Sequence, residues 1–338
     1  MKNKLKIIKG IIATKLGRPT PIFCQWDITH KCNMKCNFCS LIKFESVWKP
    51  ELNTKQALDI IDQLAESGVV ILSISGGEPL LREDLGKVIS RAKNKGMNVF
   101  VATNGWFLKE RADLLCDAYA IRVSIDGIGK LHDKFRMEGS YDRAVSGIKV
   151  LLANKKNVAI HSVITTQTTY DQVVGLCELA KQLGIQISFG NCVPTMPTKR
   201  NSHIQDVNKE VLALKPDDSW FFEVMGRIRK EYSSVMADPP IIYKLISNQG
   251  LDKFGCQSMF LDLALKPDGS VAMPCDGWFV ESAKGNLKEI WHSELADKVR
   301  KNVGKYHFCK DCKIKCHVYP ALLMKPRTLI ELAISYKV

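Results

Sequence analysis

A regular alternation of strand-like and helical segments, between about residue 20 and residue 190, limits the fold of this sequence most strongly. Amphipathic stretches such as 54–67, with apolar residues at helical spacing, separate short runs rich in β-branched residues. The strand-like runs are 22–28, 69–74, 98–103, 120–125, 158–165 and 185–190. Strands that alternate with helices of this length form parallel βαβ units with right-handed crossovers. The sequence therefore predicts an α/β fold, an open or partial (β/α)6 barrel.

Composition excludes several classes of protein. Apolar residues make up 46% of the 338 residues and charged residues 25%, which is ordinary for a folded soluble domain. No apolar run approaches the roughly 20 residues needed to cross a bilayer. The 12 cysteines, in a chain without a secretory signal, indicate metal or redox chemistry in a reducing cytoplasm rather than disulfide bonds.

Polar or glycine-rich segments follow the first four predicted strands. Active-site residues on a parallel α/β scaffold are expected directly after the carboxyl ends of its strands, so these segments should share one rim. They are Thr29–Cys39, Ser75–Pro79, Asn104–Gly105 and Asp126–Gly127. His132 and Arg136, shortly after the fourth strand, are further candidates to line the barrel mouth.

The first of these segments contains three cysteines with the spacing C-x3-C-x2-C: Cys32, Cys36 and Cys39. Thiolates this close can hold three irons of a [4Fe–4S] cluster and leave the fourth iron without a protein ligand. An open coordination position is typical of a catalytic metal centre. Zinc is the alternative, and His30 is its local candidate for a fourth ligand.

The run CNMKCNFC resembles the signature of the radical S-adenosylmethionine (SAM) superfamily, whose open iron binds SAM. The resemblance implies a TIM-like partial barrel, a SAM-binding [4Fe–4S] cluster and reductive cleavage of SAM to methionine and a 5′-deoxyadenosyl radical. It also implies an external reductant such as flavodoxin or ferredoxin. The SAM-contacting positions that it implies in this sequence are Phe38, Gly76, Gly77, Glu78, Pro79, Asn104, Ser124 and Asp126.

A second cysteine set follows a predicted hairpin whose turn is Pro267-Asp268-Gly269. Together with the run GNLKEIW it resembles the SPASM/twitch extension of radical SAM enzymes, which holds auxiliary Fe–S clusters. The set is Cys256, Cys275, Cys309, Cys312 and Cys316. Five cysteines suffice for one auxiliary [4Fe–4S] cluster, which favours the shorter twitch type with the first four as ligands and Cys316 as a competitor. The alternative is a zinc site made from the last three cysteines and His317.

Basic charge is concentrated at the two ends of the chain. Residues 1–20 carry +6 and residues 300–338 carry +7 of the formal +14. The first end predicts a basic amphipathic helix with Leu5, Ile8, Ile12 and Leu16 on one face, a pattern typical of anionic membrane surfaces. Packing across the barrel bottom is the alternative for this helix. The sequence does not favour nucleic acid, because no stacking-aromatic or RNA-module pattern accompanies the charge.

The sequence thus divides into a basic helix (1–20), a barrel core (21–193), a connecting helical segment (194–255), an auxiliary-cluster extension (256–318) and an apolar, basic tail (319–338). The leading hypothesis is a cytoplasmic radical SAM enzyme acting on a lipid or lipid-linked substrate at the inner face of the membrane. Peptide maturation is a second hypothesis, although it is expected to require a peptide-clamping domain, and about 20 residues precede the first strand. A soluble small-molecule dehydrogenase or epimerase is a third, and an Fe–S or zinc protein without enzymatic activity is a fourth.

Overall fold

The computed structural model describes residues 2–39, 50–192, 196–197, 209–248, 250–275, 278–310, 312–314 and 317–325. Cys316, the tail after residue 325 and the first part of the connecting segment lie outside these residues.

Six parallel strands form the core of the molecule, as predicted, and they stand side by side in sequence order. Each lies within two residues of its predicted position. They are β1 (Phe23–Thr29), β2 (Ile71–Gly76), β3 (Asn98–Thr103), β4 (Ala120–Ser124), β5 (Val158–Ile164) and β6 (Gln186–Asn191). The carboxyl ends of these strands meet at one rim, which confirms the prediction of a partial (β/α)6 barrel.

The helices cover the outer side of this sheet. The helix predicted at 54–67 is present with these bounds; an Asn53–Gln56 capping box begins it and Gly68, with φ 101°, ends it. The helices of this half are α1 (Lys2–Lys15), α2 (Thr54–Ser67), α3 (Leu85–Asn94), α4 (Leu108–Arg111), α5 (Lys130–Phe135), α6 (Ser140–Ala153) and α7 (Tyr170–Leu183), with 3₁₀ turns at Pro79–Leu81 and Ala112–Leu115.

Side chains alternate between two environments along the strands. In β1, Trp26 and Ile28 are buried against the helix layer, while Gln25 and Asp27, which alternate with them, are only half-buried. Because successive side chains of a strand point to opposite faces, the half-buried set faces the concave interior of the barrel. The interior is therefore lined from alternate strand positions.

The C-terminal half extends the same sheet. Strand β8 (Asp262–Leu265) pairs in parallel with β1, and β9 (Val271–Pro274) returns beside it through the predicted Pro267-Asp268-Gly269 turn. The remaining elements are β7 (Met196–Pro197), β10 (Trp278–Ala283), α8 (Asp218–Glu231), α9 (Pro240–Asn248), α10 (Leu251–Phe254), α11 (Leu287–Trp291), α12 (Glu294–Arg300), a 3₁₀ turn at His307–Cys309 and α13 (Val318–Leu323). The extension is thus continuous with the barrel through main-chain hydrogen bonds.

Helix α8 joins the two halves at the rim. The carboxylate of Asp218, the first residue of this helix, accepts a hydrogen bond from the Asn191 side chain at the end of β6 (3.2 Å). It also forms an ion pair with the Lys313 ammonium of the cysteine-rich extension (2.7 Å). Just before it, Val211 is buried against Phe38, Val163 and Cys192. The connecting segment therefore covers part of the barrel mouth.

Helix α1 lies across the amino ends of the strands, at the bottom of the barrel. The Asn3 side chain donates to Asn98 at the start of β3 (3.2 Å), and Ile11 is buried with Ile22 and Leu261. One face of the helix therefore packs as the barrel-bottom alternative expects. Among the described residues, no helix is both long and apolar enough to span a bilayer.

Candidate active site and auxiliary cluster site

The three-cysteine loop begins where β1 ends, at the rim. Cys36 is buried, whereas Cys32 and Cys39 are half-buried. The Cys39 N–H donates to the Cys36 carbonyl (3.1 Å), and the Met34 N–H approaches the Cys32 Sγ (3.4 Å). The pKa of the Cys36 thiol is raised to about 12, mainly by burial; Arg136 lowers it, and the neighbouring Cys39 and Cys32 contribute to the rise. The turn thus brings the three thiols of the predicted cluster site together.

Two glycines, Gly76 at the end of β2 and Gly77 directly after it, bring backbone against this loop. The Gly77 N–H donates to the Thr29 carbonyl (2.7 Å), and the Glu78 N–H donates to the Lys31 carbonyl (2.8 Å). A Cβ on Gly77 would stand 2.1 Å from the Lys31 carbonyl oxygen, and one on Gly76 would stand 2.4 Å from that of Thr29. Only residues without a side chain permit these contacts. The glycines therefore hold the cysteine loop against β2.

Glu78 is fully buried between the second and third strand tips. One carboxylate oxygen accepts from the Leu80 N–H (3.0 Å) and the Thr103 hydroxyl (2.8 Å), and the other accepts from the Asn104 N–H (2.7 Å). Burial raises the pKa of this carboxyl, and the three donors partly offset the shift. Pro79 begins the 3₁₀ turn that presents Leu80. The carboxylate thereby ties the β2 and β3 tips together.

Asn104 extends this network back to the cysteines. Its side-chain amide donates to the side-chain oxygen Oδ1 of Asn33 (2.8 Å) and lies 4.0 Å from the Cys32 Sγ. The structure therefore joins the cysteine loop, the Gly77–Glu78 segment and Asn104, which the sequence predicts to share a rim.

Asp126 at the fourth strand tip is fully buried. One carboxylate oxygen pairs with Arg136 Nε (2.6 Å), and the other accepts from the Val163 N–H (2.8 Å). The Arg136 guanidinium also lies over the Phe38 ring, 5.5 Å from its centroid. Burial alone would lower the Arg136 pKa, but Asp126 and the thiols of Cys36 and Cys39 keep it above its ordinary value. A permanent cation therefore stands beside the cysteine loop.

Two further candidates near the barrel mouth are His132 and Ser124, which differ in burial and in their contacts. His132 is buried, and its Nδ1 accepts a hydrogen bond from the Asp126 N–H (3.0 Å). Burial lowers the pKa of His132 to about 4, so the imidazole is neutral near pH 7. His132 thus supports the Asp126 backbone, while Ser124 is half-buried at the end of β4, beside His161 of β5.

Polar side chains inside the barrel form a group that the sequence reasoning missed. Asp27 accepts from the Ser75 hydroxyl (3.0 Å) and pairs with Lys266 (3.1 Å). His161 Nδ1 lies 2.8 Å from the Ser188 hydroxyl. Alternation along the strands, with polar residues at the half-buried positions, was the signal that would have found them. The concave face of the sheet is therefore lined by polar groups below the rim, and we call this region the polar chamber.

Four cysteines of the second set line one cavity. The cavity lining includes Cys256, Cys275, Cys309, Cys312 and His317. The Ser258 hydroxyl donates to the Pro274 carbonyl, which brings the segments of Cys256 and Cys275 together, and the Cys312 N–H donates to the Cys309 carbonyl (3.1 Å). Burial raises the pKa of Cys256, Cys309 and Cys312 to about 11. These are the four cysteines that the sequence favours as ligands.

His317 belongs to the same site. Its Nδ1 lies 2.7 Å from Asp262 on β8, and both side chains are buried. Asp262 stands opposite Phe23 in the β1–β8 pairing, so the cavity is fixed directly to the first barrel strand.

Both cysteine groups fit the clusters that their patterns imply. Three thiols beside an open rim suit a [4Fe–4S] cluster with one open iron, and four thiols around a cavity suit a closed one. Among the described residues, no three His, Cys, Asp or Glu side chains are close enough to hold one metal ion. A four-iron cluster does not require such proximity, because each thiolate binds a separate iron. Cys316, which the sequence gives as a competing ligand, lies outside the described residues.

Comparison with known proteins gives matches to both halves of the chain. A family model described as the Radical SAM superfamily matches residues 26–180, and one described as an iron-sulfur cluster-binding domain, SPASM, matches residues 256–313. The AdoMet-dependent heme synthase of Methanosarcina barkeri is 30% identical over 259 residues, which are 75% of this chain and 70% of that protein.

Other relatives match over shorter regions. The mycofactocin maturase MftC of Mycolicibacterium smegmatis is 30% identical over 184 residues, and the chain covers 46% of its length. Solved structures show the same fold at low identity. Streptococcus suis SuiB bound to precursor peptide SuiA has a TM-score of 0.67 at 16% identity over 94% of this chain and 76% of its own. The enzyme anSMEcpe with bound AdoMet and a peptide has a TM-score of 0.65 at 14% identity over 94% of this chain and 99% of its own.

The substitution Gly77→Ala tests the contact between β2 and the cysteine loop. We expect it to lower the free energy of unfolding by roughly 2–4 kcal/mol, because the new methyl group meets backbone at 2.1 Å and neither side is flexible. Urea unfolding of the cluster-free protein measures the change. The control is Gly226→Ala in α8, where the added carbon meets open space and stability should be unchanged or up to about 1 kcal/mol higher. Equal stability of the two variants would contradict a close backbone contact between Gly77 and the cysteine loop.

Proposed function

Since this chain belongs to the radical SAM superfamily and carries a C-terminal SPASM domain, we propose that it oxidises a C–H bond of its substrate in two one-electron steps. Its cofactors are SAM, a SAM-binding [4Fe–4S] cluster and auxiliary Fe–S chemistry. When bound, SAM and its cluster supply a 5′-deoxyadenosyl radical, which removes a hydrogen atom from an unactivated C–H bond. A one-electron donor such as flavodoxin or ferredoxin supplies the electron that each turnover requires.

The observation that carries this proposal is the closed network at the rim. Glu78 connects the β2 and β3 tips, and the Gly77 N–H donates a hydrogen bond to Thr29 at the start of the cysteine loop. The Asn104 side chain donates to Asn33 within that loop. A protein that only carried electrons would not need three strand tips arranged around one set of thiols. We assign Cys32, Cys36 and Cys39 to the SAM-binding cluster.

The other implied SAM positions take different parts in this arrangement. Phe38 stands beside Arg136 at the edge of the site, where an aromatic ring can pack against adenine. Asp126 holds Arg136, whose fixed cation lies beside Cys36 and Cys39 and favours an anionic cluster there. Gly76, Gly77, Glu78 and Pro79 shape the rim, and Asn104 and Ser124 offer polar groups towards it.

The auxiliary site is attached at the amino end of β1, and its extension reaches from there to Asp218 at the rim through Lys313. Cys275 directly follows the end of β9, where the antiparallel register returns to the level of Asp262 and the start of β1. The cysteine loop follows the end of β1, roughly 20 Å away along the strand. The polar chamber between the two sites contains Asp27, Ser75, His161 and Ser188. A substrate held there lies between the hydrogen-abstracting site and an electron acceptor.

Four cysteine ligands favour a closed auxiliary cluster. Cys256, Cys275, Cys309 and Cys312 would bind all four irons of an auxiliary cluster and leave none open for a substrate, and such a cluster would supply a one-electron acceptor near the substrate radical. The radical then loses a proton to a base, and His161 in the chamber is such a group. The overall change is a two-electron oxidation of the substrate, with methionine and 5′-deoxyadenosine as coproducts.

We further propose that the substrate is a lipid or lipid-linked molecule and that the enzyme works at the inner face of the membrane. The exposed apolar and basic surface of α1 supports this location. Peptide maturation is the second candidate, which the similarity to MftC favours. A soluble small molecule is the third candidate. Substrate-dependent formation of 5′-deoxyadenosine in the presence of lipid, peptide or small-molecule extracts separates these classes.

Iron content and SAM cleavage test the assignment of the two cysteine groups. We expect about eight irons per reconstituted chain and 5′-deoxyadenosine from SAM and dithionite. Cys36→Ala should lose about four irons and all 5′-deoxyadenosine, because it removes a ligand of the SAM-binding cluster. Cys275→Ala should lose about four irons but retain SAM cleavage. Anaerobic reconstitution, iron and sulfide analysis and chromatography measure these outcomes.

Cys116→Ala is the matched control, because Cys116 is exposed and lies in neither cysteine group. It should keep all the iron and activity of the unaltered protein. Absence of 5′-deoxyadenosine from the unaltered, fully loaded protein would overturn the radical proposal. One zinc with four irons would overturn the auxiliary [4Fe–4S] assignment.

A further inference from the structure

Helix α1 has two apolar faces. The inner face packs on the barrel bottom: Gly10 lies against Ile22, where a Cβ would stand 2.4 Å from its side chain, and Ile11 is buried in the same cluster. The Thr14 hydroxyl, on this side, accepts from the Thr20 N–H (3.1 Å). This face fully accounts for the attachment of the helix to the barrel.

The outer face carries a continuous apolar row that does not contribute to this attachment. Four large side chains occur three or four residues apart, so they lie along one side of the helix, roughly opposite the inner face. Their exposed fractions are 55% for Leu5, 52% for Ile8, 52% for Ile12 and 74% for Leu16. Two further large apolar side chains, Tyr119 and Leu212, reach at least 50% exposure among the described residues, and they stand singly in the sequence. We call these four residues, three in α1 and Leu16 directly after it, the outer row.

Lysines border the outer row on both sides. At 100° per residue, Lys4 and Lys15 fall on one flank and Lys6 and Lys9 on the other, and all four are exposed. No acidic residue occurs in the first 20 residues to neutralise them. The helix therefore presents an apolar strip between two basic edges.

The other basic end of the chain meets the same face of the molecule. Leu323, the last residue of α13, and Met324 pack on the cluster formed by Ile11, Ile22 and Leu261. Lys325 follows directly and is half-exposed, above the Phe254 ring. Helix α1 and the end of α13, which are far apart in sequence, thus meet at the barrel bottom.

Charge decides which occupant fits the outer row. A second copy of this chain would bring the lysine edges of two helices together, and their like charges would repel. An anionic bilayer accepts the apolar strip below its headgroups, and its negative headgroups neutralise both lysine edges. We therefore infer that α1, with the end of α13 beside it, is an anionic-membrane docking face that lies flat in the headgroup region.

This inference deepens the membrane-surface location proposed above, on which it rests, by naming the face and its lipid chemistry. It also sets an orientation. The docking face is at the amino ends of the strands, so the cysteine-loop rim points away from the bilayer and the auxiliary-site end of the chamber lies nearer to it.

Vesicle flotation of the cluster-loaded protein tests the docking face. The vesicles are phosphatidylcholine alone or phosphatidylcholine with phosphatidylglycerol, each at low and at high salt. One variant replaces the outer row (Leu5→Gln, Ile8→Gln, Ile12→Gln, Leu16→Gln), and a second reverses three flanking charges (Lys4→Glu, Lys9→Glu, Lys15→Glu). The changed side chains are exposed, so the fold should persist, as circular dichroism can verify. The matched control reverses three exposed charges elsewhere (Lys55→Glu, Lys230→Glu, Lys298→Glu).

We expect the unaltered protein and the control to bind phosphatidylglycerol vesicles, more weakly at high salt, and each α1 variant to bind at least about tenfold more weakly. Equal binding by the α1 variants and the control would overturn the inference. A lipid-free dimer that the outer-row variant abolishes would also overturn it, because the face would then be a contact between copies. All variants should keep SAM cleavage in solution, so a failure of docking and a failure of the proposed chemistry give different results.

Discussion

The contact between the Gly77–Glu78 backbone and the cysteine loop is the constraint on which the rest of the rim depends. Two short main-chain hydrogen bonds fix Thr29 and Lys31 to the end of β2. The Glu78 carboxylate then accepts a hydrogen bond from the Asn104 N–H directly after β3, and the Asn104 side-chain amide donates to Asn33, next to Cys32 in the loop. A buried carboxylate with three hydrogen-bond donors holds a defined position. The rim is consequently organised by the protein's own groups, independently of any cofactor contact.

Local patterns sufficed for the elements and for the cysteine groups. The period of apolar residues and the capping residues Asn53 and Gly68 specify α2, and close sequence spacing identifies Cys32, Cys36 and Cys39 as one set. The partners of Glu78 and the pairing of Asp126 with Arg136 depend on how the strand tips meet in space. Sequence spacing alone carries no information about such tertiary contacts. Alternation along each strand marks the individual residues of the polar chamber, but only the pairing of the strands brings Asp27 to Ser75 and His161 to Ser188.

The C-terminal extension is coupled to the barrel by continuous backbone pairing. Because β8 hydrogen-bonds to β1, the Asp262 that holds His317 has a fixed height relative to Phe23 and, through β1, to the cysteine loop. Lys313 adds a second connection through Asp218 at the rim. The pairing therefore keeps the two cysteine sites at a fixed spacing, which a flexible linker would not maintain, and the proposed oxidation needs such spacing between a substrate and its electron acceptor.

The two faces of α1 constrain each other. A helix that only closes the barrel bottom needs its inner residues Gly10, Ile11 and Thr14. At positions 5, 8, 12 and 16 such a helix would be better served by polar residues, because an exposed apolar surface favours aggregation. The exposed row is therefore unfavourable for a chain that remains in water, and the lysines beside it would be redundant. Rigid attachment through the inner face removes the entropy cost that a free amphipathic segment pays when it folds at a membrane. Because the helix is already folded and held on the barrel, the outer row can bind a membrane without this entropy cost.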